Sequence, residues 1–330
     1  MRGAAKICAA GAIFFRCGEA AIIPSMTKPL QGVLPIVQTP FLDSGEIDFA
    51  ALRGEVDWAL AQGSDGLGTG MVSELLKLTA DERRDLAQRL VEFTAGRCPV
   101  FMGVGAESTR QALAYARDAA TAGCDAVMAT PPITGRVSES GLVSYFRALA
   151  DGVNVPVIVQ DTSGYVGQSI PLRVYVELLE RYGPDKILFK PEASPIGPNL
   201  SALRDATGGQ ARIFEGSGGI FLIDSFRRGI AGTMPAVEMA DGIVAVWRAL
   251  ARGDEEFAYR AAAPIGAIVA LQLQAGLDGF LAIEKHILVK RGVLPSSRRR
   301  EPFGWELDAE TAAEVERLLN QLLRVLDERR

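Results

Sequence analysis

Short apolar runs alternate along the chain with longer stretches in which apolar residues recur every three or four positions. Eight such runs, most of them rich in valine and isoleucine, occupy residues 33–38, 66–69, 99–104, 126–130, 155–160, 187–190, 212–215 and 230–235. Runs of this kind are typical of parallel strands that are buried on both faces, and the stretches between them have the period of helices. Two of those helices begin with the spacing of a capping box, Thr79 with Glu82 and Ser108 with Gln111.

Eight strand–helix units in about 220 residues predict an α/β fold, a closed (β/α)8 TIM barrel. An open doubly wound sheet would need a glycine-rich phosphate turn after its first strand, and residues 39–41 are Thr-Pro-Phe instead. Only helical patterns follow residue 241, at 242–252, 255–275, 279–291 and 308–327. We therefore predict a disordered extension at residues 1–25, the barrel at 26–241, and a C-terminal helical region at 242–330 that packs on the barrel.

Composition and charge exclude several classes of function. The net charge is −5 and the sequence pI is about 5.2, which argues against a nucleic-acid partner. The one basic run, residues 298–300, is expected to be a solvated loop. Because no apolar run reaches the ~18 residues of a membrane span, no membrane partner is expected either. His286 is the only histidine, so a histidine-based metal site or a Ser-His-Asp triad has little material.

The cysteines and the N-terminus bear on location. Cys98 and Cys124 open or precede apolar runs, and the four cysteines form no CxxC pair, so buried thiols in a reducing cytoplasm are expected. Arg2 and Lys6 precede a partly apolar stretch that mimics a signal peptide, but Arg16 interrupts the pattern. An export signal is the less favoured interpretation of residues 1–25.

Lys190 is the first candidate for chemistry, because functional groups of barrels lie where strands end. It closes an apolar run at the end of the sixth predicted strand. Burial disfavours the charged form of an amine, and a neutral amine attacks ketones to give a Schiff base. A lysine that extends to solvent from a strand end is the alternative, and position alone does not separate the two.

Several motifs stand in a fixed order across most of the chain: GVLP at 32–35, TPF at 39–41, DSGEID at 43–48, GMVSE at 70–74, LTADER at 78–83, GVG at 103–105, ST at 108–109, TPP at 130–132 and FKPE at 189–192. In this order they resemble the dihydrodipicolinate synthase / N-acetylneuraminate lyase family. The resemblance implies a barrel that condenses or cleaves 2-keto acids through an imine on Lys190, without metal or organic cofactor. It also implies a homo-oligomer, usually a tetramer.

The resemblance implies that the turn at 70–74 binds the substrate carboxylate through backbone N–H groups and hydroxyls. Here Met71 and Val72 replace the usual hydroxyl residues, and Ser73 replaces a glycine. Ser73 is expected either to bind the carboxylate or merely to cap the turn. Glu74 is expected to be a structural partner rather than a catalyst.

Three departures argue against dihydrodipicolinate synthase activity. Gln160 stands where many members carry an acid/base tyrosine, Tyr165 where synthases keep an arginine for the second substrate, and Pro132 with Ile133 where synthases carry a tyrosine pair. The pattern is more similar to dehydratases of 2-keto-3-deoxy sugar acids. Gln160 would then position a water or a hydroxyl, and the candidate proton carriers are Asp161, Glu192 and Glu215. A salt-bridged structural role is the alternative for each of them.

The remaining predicted substrate contacts follow strands seven and eight. The resemblance implies that the loop beginning at Glu215 and Gly216 binds the polyol part of the substrate, and Met234 is expected to complete the pocket. A phosphate site in this loop is a weaker alternative. Glu284, Lys285 and His286 are expected to have surface or packing roles.

The expected function is a Schiff-base lyase acting on a 2-keto acid, a dehydratase or aldolase of 2-keto-3-deoxy sugar acids. One alternative is synthase-type condensation of pyruvate with an aldehyde. The others are a keto-acid-binding barrel without catalysis and a sugar-phosphate enzyme on the same fold.

Overall fold

A ring of eight parallel strands forms the centre of the molecule in the computed structural model, which describes residues 29–329. The strands pair in the orders β2-β3-β4-β5-β6 and β7-β8-β1. Isolated bridges join Ile36 to Gly68 and Phe189 to Ile213, which closes the ring between β1 and β2 and between β6 and β7. The predicted TIM barrel is confirmed. The strands are β1 (Gly32–Val33), β2 (Leu67–Gly68), β3 (Val100–Gly103), β4 (Ala126–Ala129), β5 (Val157–Asp161), β6 (Ile187–Pro191), β7 (Phe214–Glu215) and β8 (Gly232–Thr233).

Helices alternate with the strands and cover the barrel. Eight of them follow β1 to β8 in turn: α1 (Phe49–Ala61), α2 (Ala80–Thr94), α3 (Thr109–Ala122), α4 (Glu139–Gly152), α5 (Leu172–Tyr182), α6 (Ile196–Ala206), α7 (Leu222–Arg227) and α8 (Ala240–Ala251). The C-terminal extension adds α9 (Glu255–Gln272), α10 (Gly276–Lys290) and α11 (Ala309–Asp327). The proposed boundary at residue 241 falls at the start of α8, and the extension proposed at 1–25 lies outside the described residues.

The hydrogen-bonded ladder of β1 is shorter than the apolar run 33–38 in the sequence, and a proline explains the difference. Leu34 N donates to Thr233 O at 2.9 Å and Ile36 N donates to Pro235 O at 2.7 Å, so the extended backbone continues beyond Val33. Pro235 of the neighbouring strand has no N–H to donate back to β1, which interrupts the ladder.

The barrel interior is filled by side chains rather than open as a pore, as is usual for this fold. Its residues come from alternate positions of the strands, and they include Leu34, Ile36, Phe101, Met128, Ile158, Leu188, Phe214 and Met234. A larger apolar layer joins the strands to α1–α6, and it contains the buried thiols of Cys98 and Cys124. Reactive groups can therefore meet a substrate only where this filling ends.

The extension has its own apolar core against α8. Ile265 and Ile268 of α9 share that core with Ile283 and Ile287 of α10 and with α11, whose Leu322 is fully buried. By length and composition alone the stretch Glu255–Lys290 contains an 18-residue window that is apolar enough to cross a membrane. This stretch packs with α8 and α11 as core helices of a folded domain do, and such core helices often have the same length and apolar composition.

Glu55 lies on α1 and is fully buried in the apolar layer between the helices and the strands. Its Oε1 accepts a hydrogen bond from Gln38 N at 2.7 Å, and its Oε2 has no hydrogen-bond partner among residues 29–329. Burial raises the pKa of this carboxyl from 4.5 to about 8. The folded chain therefore binds more protons than the unfolded chain between those two values, and its stability falls as pH rises through that window.

Glu55→Gln is expected to stabilise the protein at pH 8.5 by a few kcal/mol, roughly, because the amide can still accept from Gln38 N and no charge has to be buried. Near pH 4.5 the two proteins should differ little. Urea unfolding across this range measures the difference, with Glu180→Gln on the exposed face of α5 as the control. Parallel pH profiles for Glu55→Gln and the parent protein would contradict this account.

Candidate functional site

A cavity opens where the strands end, with about 490 Å³ of empty space, part of it open to solvent. Eight residues selected from the sequence line it: Met71, Val72, Gln160, Tyr165, Lys190, Glu192, Gly216 and Met234. They come from segments far apart in the chain and meet because every strand of a parallel barrel ends on the same face.

Lys190 and Glu192 form the centre of the cavity wall at β6. They are two positions apart on an extended strand, so their side chains point to the same side. Lys190 Nζ lies 3.3 Å from Glu192 Oε2, and both residues are buried. Gln160 is paired with Lys190 in the β5–β6 register, and its Nε2 donates to the same Oε2 at 2.6 Å. One carboxylate oxygen thus holds both the amine and the amide.

The environment of Glu192 suits a proton carrier. Burial raises the pKa of this carboxyl, and Lys190 and Gln160 lower it again by favouring the charged form; the net direction is upward. A carboxyl with a raised pKa next to an amine can exchange a proton with it at neutral pH.

Gly216 lets the backbone after β7 approach this pair closely. A Cβ at this position would stand 2.4 Å from Lys190 Cε and 2.5 Å from Glu192 Oε1. No side chain larger than hydrogen fits there unless the lysine or the glutamate moves. The loop after β7 therefore fixes where the amine can be.

The turn after β2 is held from behind by Ser73. Its hydroxyl donates to Val37 O at 2.5 Å and accepts from Gly70 N at 3.1 Å, so it stabilises the turn and does not line the cavity. Met71 and Val72 do line it, as the first residues of a short 3-10 turn, Met71–Ser73. The N–H groups that open such a turn have no partner within it and can bind an anion.

Glu74 is a structural partner, in line with the sequence interpretation. Its Oε1 accepts from Lys285 Nζ at 2.6 Å, with both side chains fully buried. The same ammonium donates to Thr39 O at 2.7 Å and to Arg298 O at 2.8 Å. A desolvated ion pair is stable only when its remaining hydrogen bonds are also made, as they are here.

The expectation of a solvated basic loop at residues 298–300 is wrong for Arg300. Its N–H donates to Glu74 Oε2 at 2.9 Å, its guanidinium binds Glu82 at 2.7 Å, and its Cζ lies 4.5 Å from the centroid of the Phe41 ring. Arg300 packs on the barrel rim because the buried carboxylate of Glu74, the partly exposed carboxylate of Glu82 and an aromatic ring are available there.

Three other predicted residues lie away from the cavity lining. Asp161 accepts from Ser163 N at 2.8 Å and from Ile170 N at 2.7 Å, so it holds the loop after β5. Glu215 accepts from Thr233 Oγ1 at 2.7 Å, across β7 and β8. Pro132 is partly exposed and outside the lining. This placement favours structural roles for Asp161 and Glu215.

Tyr165 stands at the mouth of the cavity, where the residue is 36% exposed. Desolvation of its hydroxyl raises the pKa of the phenol, and the neighbouring charges of Glu192 and Glu284 add to this effect. The hydroxyl therefore stays protonated and can act as a hydrogen-bond donor.

Sequence reasoning missed part of the lining, which comes from the C-terminal third of the chain: Glu238, Gln272, Leu277, Phe280 and Glu284. The expectation of a surface or packing role for Glu284 is corrected, since it is buried and faces the cavity. Two signals were present. Glu238 follows the end of β8, and Glu284 directly follows the apolar run 280–283.

The chain is similar to several known proteins. A sequence model described as "Dihydrodipicolinate synthetase family" matches residues 29–322. The L-2-keto-3-deoxyarabonate dehydratase of Azospirillum brasilense is 30% identical over 297 residues, which cover 88% of this chain and 94% of that protein. The 4-hydroxy-tetrahydrodipicolinate synthase of Azoarcus sp. (strain BH72) is 33% identical, over 54% of this chain and 56% of that protein. The chain thus spans about half the length of that synthase.

Solved structures share the fold. A dihydrodipicolinate synthase from Rhodopseudomonas palustris superposes with a TM-score of 0.79 at 28% identity, over 88% of this chain and 97% of that one. YagE, a prophage protein from E. coli K12 solved in complex with pyruvate, gives a TM-score of 0.80 at 23% identity, over 89% and 99%. The family match covers most of the described chain. The protein therefore belongs to the dihydrodipicolinate synthetase family and is a lyase.

Proposed function

We propose that this lyase forms a Schiff base between Lys190 and a 2-keto-3-deoxy sugar acid and removes water from it. The observation that carries the proposal is the position of the Lys190 amine, buried at the cavity and 3.3 Å from a carboxylate. The relative that matches nearly full length is named as a dehydratase of such an acid, which supports the same reaction class.

The first step joins the amine to the ketone. Lys190 Nζ gives up a proton to Glu192 and attacks C2 of the substrate. The C2 oxygen leaves as water after it has taken up that proton from Glu192 and a second proton from Nζ. The N–H groups of Met71 and Val72 receive the C1 carboxylate, which orients C2 towards the amine. The resulting iminium withdraws electrons from C3.

The second step is the elimination. Glu192, now the base, takes the C3 proton, and the C–H electrons form the enamine. The enamine then expels the C4 hydroxyl, which leaves as water with the proton that Glu192 returns. Gln160 positions Glu192 by donating to its Oε2 and carries no proton itself. Hydrolysis of the imine releases the product and restores Lys190.

Condensation of pyruvate with an aldehyde is the second candidate, because several relatives are named as synthases. In this reaction the enamine formed on Lys190 attacks the aldehyde and makes a new C–C bond. Aldol cleavage of the C3–C4 bond is the reverse of that reaction. An amide at position 160 and Tyr165 in place of a cation disfavour the synthase reaction. A homotetramer, which the family resemblance implies, and a cytoplasmic location, which the cysteines favour, remain part of this proposal.

Borohydride reduction in the presence of pyruvate or a 2-keto-3-deoxy acid is expected to add the mass of the reduced ligand at Lys190, because reduction makes the imine permanent. Peptide mass spectrometry locates the adduct. Lys190→Ala should give no adduct and lose turnover by at least ~1000-fold. Lys290→Ala, at a half-exposed position on α10, should behave like the parent protein. An unmodified Lys190 in the parent protein would refute the Schiff base.

Gly216→Ala is expected to reduce both imine trapping and kcat/KM by roughly 100-fold, because its methyl group would displace the Lys190 amine. The fold should persist, and circular dichroism with thermal unfolding tests that. The matched control is Gly54→Ala on α1, where an added Cβ meets no atom within 4 Å. Full trapping by Gly216→Ala would show that Lys190 does not need the position described.

Assays with two substrate sets separate the candidates. A 2-keto-3-deoxy sugar acid should be turned over with a kcat/KM at least roughly 100-fold above that for condensing pyruvate with aspartate semialdehyde, since Gln160 cannot relay a proton. A coupled assay for semialdehyde or pyruvate release reports the first reaction. Faster condensation would favour the synthase instead.

A further inference from the structure

The cavity has a second polar wall, on the side of β8 and β1, which the proposed reaction does not use. It consists of Glu238 after β8, Gln272 at the end of α9, and Glu284 on α10. Each of the three is about 1% exposed. Lys190 and Glu192 reach the cavity from β6, whereas the residues of this wall come from β8 and the C-terminal helices.

The hydrogen bonds of this wall are incomplete. Gln272 Nε2 donates to Glu238 Oε1 at 3.0 Å, and Gln38 Nε2 donates to Glu284 Oε2 at 2.5 Å. Glu238 Oε2 has no hydrogen-bond partner in the part of the chain that the structure describes. A buried carboxyl oxygen without a partner is costly, and in a residue that lines a cavity it is a group that a ligand can satisfy.

The charges of the lining restrict what that ligand is. Among the described lining residues Lys190 is the only cation, and it is committed to the imine. Glu192, Glu238 and Glu284 are all carboxyl groups. A second carboxylate at the far end of a substrate would meet no positive charge there and would be repelled by any of the three that is ionised.

Burial favours the neutral form of the two carboxyls of the wall. It raises the pKa of Glu238 to about 7 and that of Glu284 well above its ordinary value. The charged groups around the wall are Asp241 and Arg291, which act on Glu238, and Glu238, Lys285 and Glu55, which act on Glu284. A neutral carboxyl both donates and accepts a hydrogen bond, as a hydroxyl group requires.

A cation site is the other use for clustered carboxylates. No group of three histidine, cysteine, aspartate or glutamate side chains between residues 29 and 329 is arranged to hold a metal ion. The amide of Gln272 also donates to the wall, and a cation would not accept that hydrogen bond.

We propose that Glu238, Gln272 and Glu284 bind the hydroxyl groups of an uncharged substrate tail, so that the cavity accepts a 2-keto acid ending in a polyol and rejects one ending in a second carboxylate. This inference rests on the proposed Schiff-base function and names its substrate class. Glu238 and Glu284 are then the specificity-determining residues.

The test compares two 2-keto-3-deoxy acids of equal length, one ending in a hydroxymethyl group and one ending in a carboxylate. The parent protein should turn over the first with a kcat/KM roughly 100-fold above the second. Borohydride trapping with pyruvate, which has no tail, reports Lys190 separately. Trapping without the preference for the neutral tail would overturn the subsite alone, and absence of trapping would overturn the Schiff-base function.

Variants of the wall supply a second readout. Glu238→Leu should lower kcat/KM for the neutral-tail substrate by roughly 10- to 100-fold, mainly through KM. Glu238→Gln should keep most of the activity, and the advantage of the parent protein over it should shrink as pH rises through about 7, where Glu238 loses its proton. Glu256→Gln, exposed on α9, is the control. A pH-independent ratio, or unchanged kinetics in a folded Glu238→Leu, would overturn the proposal.

Discussion

The contact between the Lys190 amine and the Glu192 carboxylate is the constraint that organises the catalytic end of this barrel. Two opposite charges are tolerated away from water only when each satisfies the other and the remaining polar atoms are bonded. Gln160 meets part of that need from the neighbouring strand, and Gly216 leaves room for the pair by having no side chain. The reactive amine is thereby placed by its neighbours, and the substrate has only to reach it.

The sequence predicts most of this architecture because its signals are local. Alternating apolar runs and helical periods determine the barrel, and the end of the sixth run identifies Lys190. Strand periodicity also predicts which of two neighbouring polar residues faces the cavity. Adjacent residues of a strand point to opposite faces, so Gln160 facing the cavity requires Asp161 to face away, where it holds the loop after β5. Asp161 and Gln160 therefore cannot both line the cavity.

The polar wall could not be found in that way, because its members meet through tertiary packing alone. Gln38 and Glu284 are 246 positions apart, and no periodicity joins the first strand to the tenth helix. The basic run shows the same limit. The sequence predicts that Arg300 is solvated, whereas in the structure it contacts Glu74, Glu82 and the Phe41 ring at the rim of the barrel. The charge pattern of a segment can be seen in its sequence, whereas its burial depends on the other segments that pack against it.

Lys285 gives the C-terminal extension a part in the integrity of the barrel. One ammonium group binds the exit of β1 at Thr39, the turn after β2 through Glu74, and the segment after α10 at Arg298. Loss of the contact to either carbonyl leaves the buried ammonium one hydrogen bond short, and loss of Glu74 leaves it without its ion-pair partner. The stabilities of the three segments are therefore coupled, so that a break near residue 298 weakens the support of the turn after β2 at the mouth of the catalytic chamber.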